Sequence, residues 1–246
     1  MTAPIRVLFT GYAPVHYLCF QPLHERLRAI PGVEVSVSGG LERRTPGGIV
    51  HDEHAMYGPL GVPPDEILSI AEIRERDFDY LFAGNTTLLL PRSVRKKVQI
   101  FHGVSFRNRA IRPANMSCDV YFLAGPYMER RFAETGLLPP GDPRALRIGF
   151  MKTDRLLDGS LDRPRLLEAA GFDGTRPVVL YAPTGQKQNS LETVGPDVLE
   201  KLAAAGRFDV LLKLHDHPKN TGTDWRARLA PLESPHFRVS REPDVV

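Results

Sequence analysis

Residues 6–40 read RVLFTGYAPVHYLCFQPLHERLRAIPGVEVSVSGG, and this stretch decides the fold. A continuous apolar run at 6–10 ends on Gly11. Apolar residues then recur at helical spacing from 17 to 30, closed by Pro31 and Gly32, and residues 33–38 alternate as a strand does. A first strand without polar alternation is one buried on both faces. Strand, helix, strand in this order therefore predicts a parallel sheet covered by helices.

The same rhythm continues outward. A Gly/Pro-rich loop over 39–64 and a helix over 65–76 are expected, then short buried strands at 80–83, 98–101 and 120–123, each followed by turn or helix-start residues. Residues 147–164 (RIGFMKTDRLLDGSLDRP) read as a last strand and turn running into a linker rich in Asp, Gly, Ser and Pro. They divide the chain into lobes at 1–158 and 159–246. Beyond them strands are expected at 178–181, 209–214 and 237–240, with helices at 196–205 and 223–229. The fold class is α/β, two lobes with parallel sheets. The second lobe is expected to be incomplete, because 242–246 (EPDVV) reads as the start of a helix and three strands with two helices bury a poor core.

Composition narrows the function classes. With 246 residues, 42% of them hydrophobic, and a net charge of +3, the chain is a globular protein, and its charge falls short of a nucleic-acid-binding signature. Cys19 and Cys118 lie far apart without CxxC spacing, so buried free thiols are expected. Neither a secretory leader pattern nor a run of roughly 18 apolar residues is present. The expectation is a cytoplasmic protein, compatible with peripheral contact on the inner face of the plasma membrane, with no cofactor and no metal.

Open parallel sheets bind ligands beyond the carboxyl ends of their strands. Four such places carry suitable chemistry. In GYAPVH (11–16), Gly11 turns the chain and His16 could face the cleft. In IFHGVSFRN (100–108), His102 can take a proton at neutral pH, Gly103 lets the backbone approach a ligand, and Arg107 with Arg109 would attract phosphate. In VLYAPTGQKQN (179–189), Thr184, Gly185 and Lys187 suit a phosphate loop. In LLKLHDHPKN (211–220), Lys213, His215, His217 and Lys219 would share one face of a continuing strand. The HDEH run at 51–54 resembles a ligand cluster but sits in the Gly/Pro-rich segment, where a solvated loop is expected. Trp225 is expected to pack the second lobe.

Four pieces in this order, FHG (101–103), GFMKTD (149–154), LYAPTG (180–185) and KLHDHP (213–218), resemble the ordered motifs of the CDP-glycerol:poly(glycerophosphate) glycerophosphotransferase family. The resemblance covers about residues 100–220. It implies a GT-B architecture of two Rossmann-like lobes and transfer of a polyol phosphate from a CDP-polyol donor to a polymer or lipid-linked acceptor. His102 matches the family's HG histidine, a candidate base. His215 matches a second-lobe histidine that contacts donor phosphates. Lys152, Thr184, Gly185, Lys187, Lys213 and His217 become donor-phosphate neighbours, with His16, Gly103 and Arg107 on the acceptor side. Met151 and Phe101 depart from the proline and tryptophan frequent at those places. A GT-B glycosyltransferase or a nucleotide-sugar 2-epimerase is the alternative, and a non-catalytic nucleotide-binding fragment is the second.

Overall fold

The computed structural model describes residues 3–103, 110–185, 188–215 and 223–241, without the side chains of 42–44 and 49. Two compact units divide it, Met1–Asp154 and Arg155–Val246.

In chain order the first unit contains β1 (Ile5–Thr10), α1 (Pro14–Arg28), β2 (Val33–Ser38), β3 (Leu41–Thr45), β4 (Gly48–Asp52), α2 (Glu53–Tyr57), β5 (Ile67–Leu68), α3 (Ile70–Ile73), β6 (Asp77–Ala83), β7 (Ser93–Ile100), β8 (Val120–Leu123), α4 (Pro126–Glu134) and β9 (Ala145–Arg147). Seven strands form one sheet in the order β5-β2-β1-β6-β7-β8-β9, and every neighbouring pair is parallel. The chain leaves β1 towards β2 and β5, then returns on the other side of β1 as β6. The carboxyl ends of β1 and β6 are thus the topological switch point, where a crevice opens in such sheets.

The apolar run of β1 explains its central place. Val7 and Phe9 join the core under α1, while Leu8 joins the opposite face with Leu68, Ile73, Phe78 and Leu81. Phe9 stacks at 4.9 Å on Phe20 of α1 and at 5.0 Å on Phe82 of β6, so a single ring ties helix, first strand and return strand together. Pro14 starts α1 where a missing N–H costs nothing.

Three expectations are corrected here. The 39–64 segment is not a loop: β3 and β4 pair as an antiparallel hairpin, and α2 follows. HDEH is accordingly no solvated cluster. Asp52 caps α2 by accepting from the Ala55 N–H at 2.9 Å, and the buried Glu53 accepts from the Ile70 N–H at 3.0 Å. The helix over 65–76 also breaks up. Buried Ile67 and Leu68 pair with Val37 and Ser38 as a strand, and Ser69 opens α3 through a reciprocal capping box with Glu72. Local capping and an open sheet edge outweighed helical spacing.

The second unit contains α5 (Arg163–Ala169), β10 (Val178–Tyr181), α6 (Ser190–Val194), α7 (Pro196–Ala204), β11 (Asp209–Leu212), α8 (Trp225–Leu229) and β12 (Phe237–Val239). Its described strands form a parallel sheet in the order β10-β11-β12. Val210, Leu212, Leu229 and Phe237 centre its core, with Trp225 packed against it. Both cysteines are buried, and burial pushes the Cys118 thiol up to about 11. Among the described residues no helix is long and apolar enough to cross a membrane.

Because Phe9 bridges β1, α1 and β6, Phe9→Ala is expected to cost about 3–5 kcal/mol. Urea unfolding followed by far-UV circular dichroism measures it, and a loss below about 1 kcal/mol would contradict this role.

Candidate functional site at the sheet switch point

Glycines end the strands that meet at the switch point: Gly11 follows β1 and Gly84 follows β6. Their lack of a side chain is used. A Cβ on Gly11 would lie 2.7 Å from the Cβ of His16, and one on Gly84 would lie 2.9 Å from the same atom and 3.3 Å from Phe20. The first turn of α1 therefore settles directly onto these two backbones, and His16 becomes almost fully buried, 3% exposed. Where the sequence suggested that His16 could face the cleft, this packing buries it.

The His16 ring has defined partners. Its Nδ1 accepts the Tyr12 N–H at 3.1 Å, the Tyr12 ring meets it edge-on at 4.6 Å, and the His102 ring lies 4.7 Å away, tilted by 58°. Burial, and secondarily the charge of a protonated His102, push His16 down to about 3. His16 is thus neutral, with its proton on Nε2.

His102 has the opposite arrangement. It follows β7 and is exposed, and its Nδ1 lies 3.1 Å from the Gly84 carbonyl oxygen. A carbonyl only accepts, so Nδ1 carries the hydrogen and the neutral ring keeps its lone pair on Nε2. That is the atom a general base needs. The buried neighbour cannot compete for protons, because its basicity has been removed. A Cβ at Gly103 would meet no atom of the described residues within 4 Å.

Asn85 escaped notice in the sequence although it lies two residues after the apolar run at 80–83. It is 1% exposed, its Nδ2 donates to the Thr87 carbonyl, and its Oδ1 has no hydrogen-bond partner among the described residues. The same holds for Thr10 Oγ1 and Ser38 Oγ at the ends of β1 and β2. Applying the strand-end rule to every strand, rather than to those followed by histidine or lysine, would have found it.

In the second unit Gly185 follows β10 and His215 follows β11. A Cβ on Gly185 would lie 2.7 Å from both Cγ and Nδ1 of His215, so these residues are brought together as Gly84 and His16 are. Lys213 is 7% exposed and its Nζ donates to the Leu214 carbonyl at 3.1 Å, while Thr184 and His215 are exposed. Lys152 belongs to the first unit, buried in the 3-10 turn Met151–Leu156. Arg107, Arg109, Lys187, His217 and Lys219 lie outside the described residues.

The depressed basicity of His16 has a stability consequence. Its unfolded form protonates as pH falls below about 6.5, while its folded form resists until about 3. Stability from this group is complete above that window and declines through it, by up to about 1.4 kcal/mol per pH unit. Burial lowers His24 with the same sign, so comparison with a variant isolates His16. Urea midpoints measured from pH 7 to pH 5 should fall less steeply in His16→Asn than in the wild type, and equal slopes would refute a buried neutral His16.

No protein-family profile matches the chain, and no curated protein sequence does. Solved structures do match. A protein from Listeria monocytogenes described as a UDP-N-acetylglucosamine 2-epimerase aligns with a TM-score of 0.59 at 14% identity, covering 98% of this chain and 70% of that one. The UDP-GlcNAc 2-epimerase of Neisseria meningitidis, solved bound to UDP-GlcNAc, gives 0.54 at 11% identity over 97% and 72% of the two chains. The UDP-GlcNAc 2-epimerase of Methanocaldococcus jannaschii gives 0.54 at 9% identity over 96% and 72%. At such identities the likeness speaks for architecture, and the architecture of this chain is the GT-B type, α/β with parallel sheets.

Proposed function

We propose that this chain acts on a nucleotide-diphosphate-activated sugar, with His102 as the base that takes a proton from an acceptor hydroxyl. The observation that carries the reading is an exposed histidine at the switch point whose Nδ1 donates to the Gly84 carbonyl, which leaves its Nε2 unprotonated and without a partner among the described residues. In the step, the acceptor oxygen bonds to the anomeric carbon, its proton passes to Nε2, and the bond from that carbon to the diphosphate breaks to release the nucleoside diphosphate. His16 adds a neutral wall beside the base. In the second unit, Thr184, Gly185, Lys213 and His215 are the donor-phosphate neighbours of this proposal, and Lys152 in the first unit is another. Placing basic groups and backbone amides near transferring phosphates is the usual source of charge stabilisation. The fold likeness to nucleotide-sugar enzymes supports the donor class.

The ordered pieces FHG, GFMKTD, LYAPTG and KLHDHP favour a second reading, transfer of a polyol phosphate from a CDP-polyol to a polymer or lipid-linked acceptor. There the hydroxyl attacks the β-phosphorus and CMP leaves. His102 serves the same role in both, and the released nucleotide separates them.

Incubation with UDP-, ADP- and CDP-sugars and CDP-polyols, followed by chromatography of the nucleotides, is expected to show a nucleoside diphosphate for the first reading and CMP for the second. An epimerised sugar with no released nucleotide would replace transfer by epimerisation. For whichever substrate turns over, His102→Ala should lower kcat by about 10²–10⁴-fold with an unchanged circular dichroism spectrum. Turnover within a few-fold of the wild type would remove His102 from the mechanism.

A further inference from the structure

The His102 tautomer depends on where one carbonyl oxygen stands, so the residue that places that oxygen matters. Gly84 lies in the chain just beyond β6, after the ladder with β7 has ended. The last paired position is Ala83 against Gln99. Val98 and Ile100 point into the core under α1, so alternation sends the Gln99 side chain to the other face of the sheet. There it is 2% exposed.

Its amide nitrogen is a three-way clasp. With two hydrogens to donate, Nε2 lies within hydrogen-bonding distance of three carbonyls, Ala83 at 2.9 Å, Ile100 at 2.9 Å and Asn85 at 3.2 Å, so one N–H is shared between two of them. Ala83 and Asn85 are the two neighbours of Gly84, and Ile100 is two residues before His102. The Gly84 N–H is fixed separately by donation to the Thr10 carbonyl at 2.9 Å. The one group of Gly84 left for other use is its own carbonyl, which receives His102 Nδ1 at 3.1 Å. One side chain thereby couples the loop that offers the acceptor to the strand that delivers the donor.

We infer that Gln99 is a positioning residue for the base, holding the Gly84 carbonyl at hydrogen-bonding distance from His102 Nδ1 and so keeping the Nε2 lone pair free. The inference rests on the reading of His102 as the base, but the placement it describes is measurable without turnover. A purely structural clasp would keep β6 and β7 together. A positioning clasp also controls which ring nitrogen of His102 carries the proton. A glutamine suits this task better than an ionisable residue, since its donors persist at every pH. Moving the Gly84 carbonyl by about 1 Å would break a bond already at 3.1 Å, and the exposed ring would be free to take its proton on Nε2.

The decisive experiment is long-range ¹H–¹⁵N NMR of the histidine rings in the whole chain at neutral pH. In the wild type His102 should show protonated Nδ1 and unprotonated Nε2. His16 should show the reverse, because its Nδ1 accepts the Tyr12 N–H. Gln99→Asn keeps the amide but shortens its reach by a methylene, and Gln99→Met keeps the length but removes the donor. In either folded variant His102 should shift towards the Nε2–H form while His16 stays unchanged, which separates local repositioning from general loosening. Where a substrate is in hand, kcat should fall on the order of tenfold or more with KM little changed. A wild-type His102 protonated on Nε2, or a folded variant with unaltered His102, would overturn the inference. Failure of both variants to fold would make Gln99 a folding residue and overturn it equally.

Discussion

Everything at the candidate site depends on one close approach, that of the first turn of α1 to the backbones of Gly11 and Gly84. Because neither has a Cβ, the His16 Cβ can come within distances that any other residue would forbid. The approach buries an imidazole and removes its basicity. It also brings the carboxyl ends of β1 and β6 under the same helix, and the Gly84 carbonyl is then offered to His102. A site built this way rests on strand ends and a helix start rather than on a long loop, which favours a fixed geometry.

Two adjacent histidines therefore have different chemistry for physical reasons. His16 is buried, accepts a backbone N–H on Nδ1 and stays neutral. His102 is exposed, donates from Nδ1 and presents Nε2. Had both been exposed, two rings 4.7 Å apart would have opposed each other's protonation and shared any proton-transfer role. Burial of one removes that competition.

Much of the fold was legible because the buried parallel strands carry unbroken apolar runs. The order β1, α1, β2 could be read from residues 6–40, and His102 could be found from its place after such a run. The hairpin β3 and β4 was hidden by glycines and prolines that mark a loop in most settings, and here flank a short two-stranded ribbon. The break of the helix expected at 65–76 lay in Ser69 and Glu72, whose spacing is a capping signal that apolar periodicity overrode. Burial of His16 was invisible for another reason: it follows from two glycines more than seventy residues apart in sequence. Asn85 was legible from its place just after a buried strand, whereas Gln99 lies inside one, and its amide carries no signal until its carbonyl partners are known.

The activated-sugar and CDP-polyol readings proposed above differ in the group transferred, and each uses His102 as its base. The claim that His102 is that base, with its reactive nitrogen exposed, is tested most directly by diethyl pyrocarbonate, which acylates unprotonated imidazole nitrogen. With peptides mapped by mass spectrometry, His102 should react at Nε2 while buried His16 and His24 stay unmodified, and turnover should disappear in step with modification of His102 rather than of His54 and His215, which are also exposed. Full turnover by protein fully acylated at His102 would contradict the account.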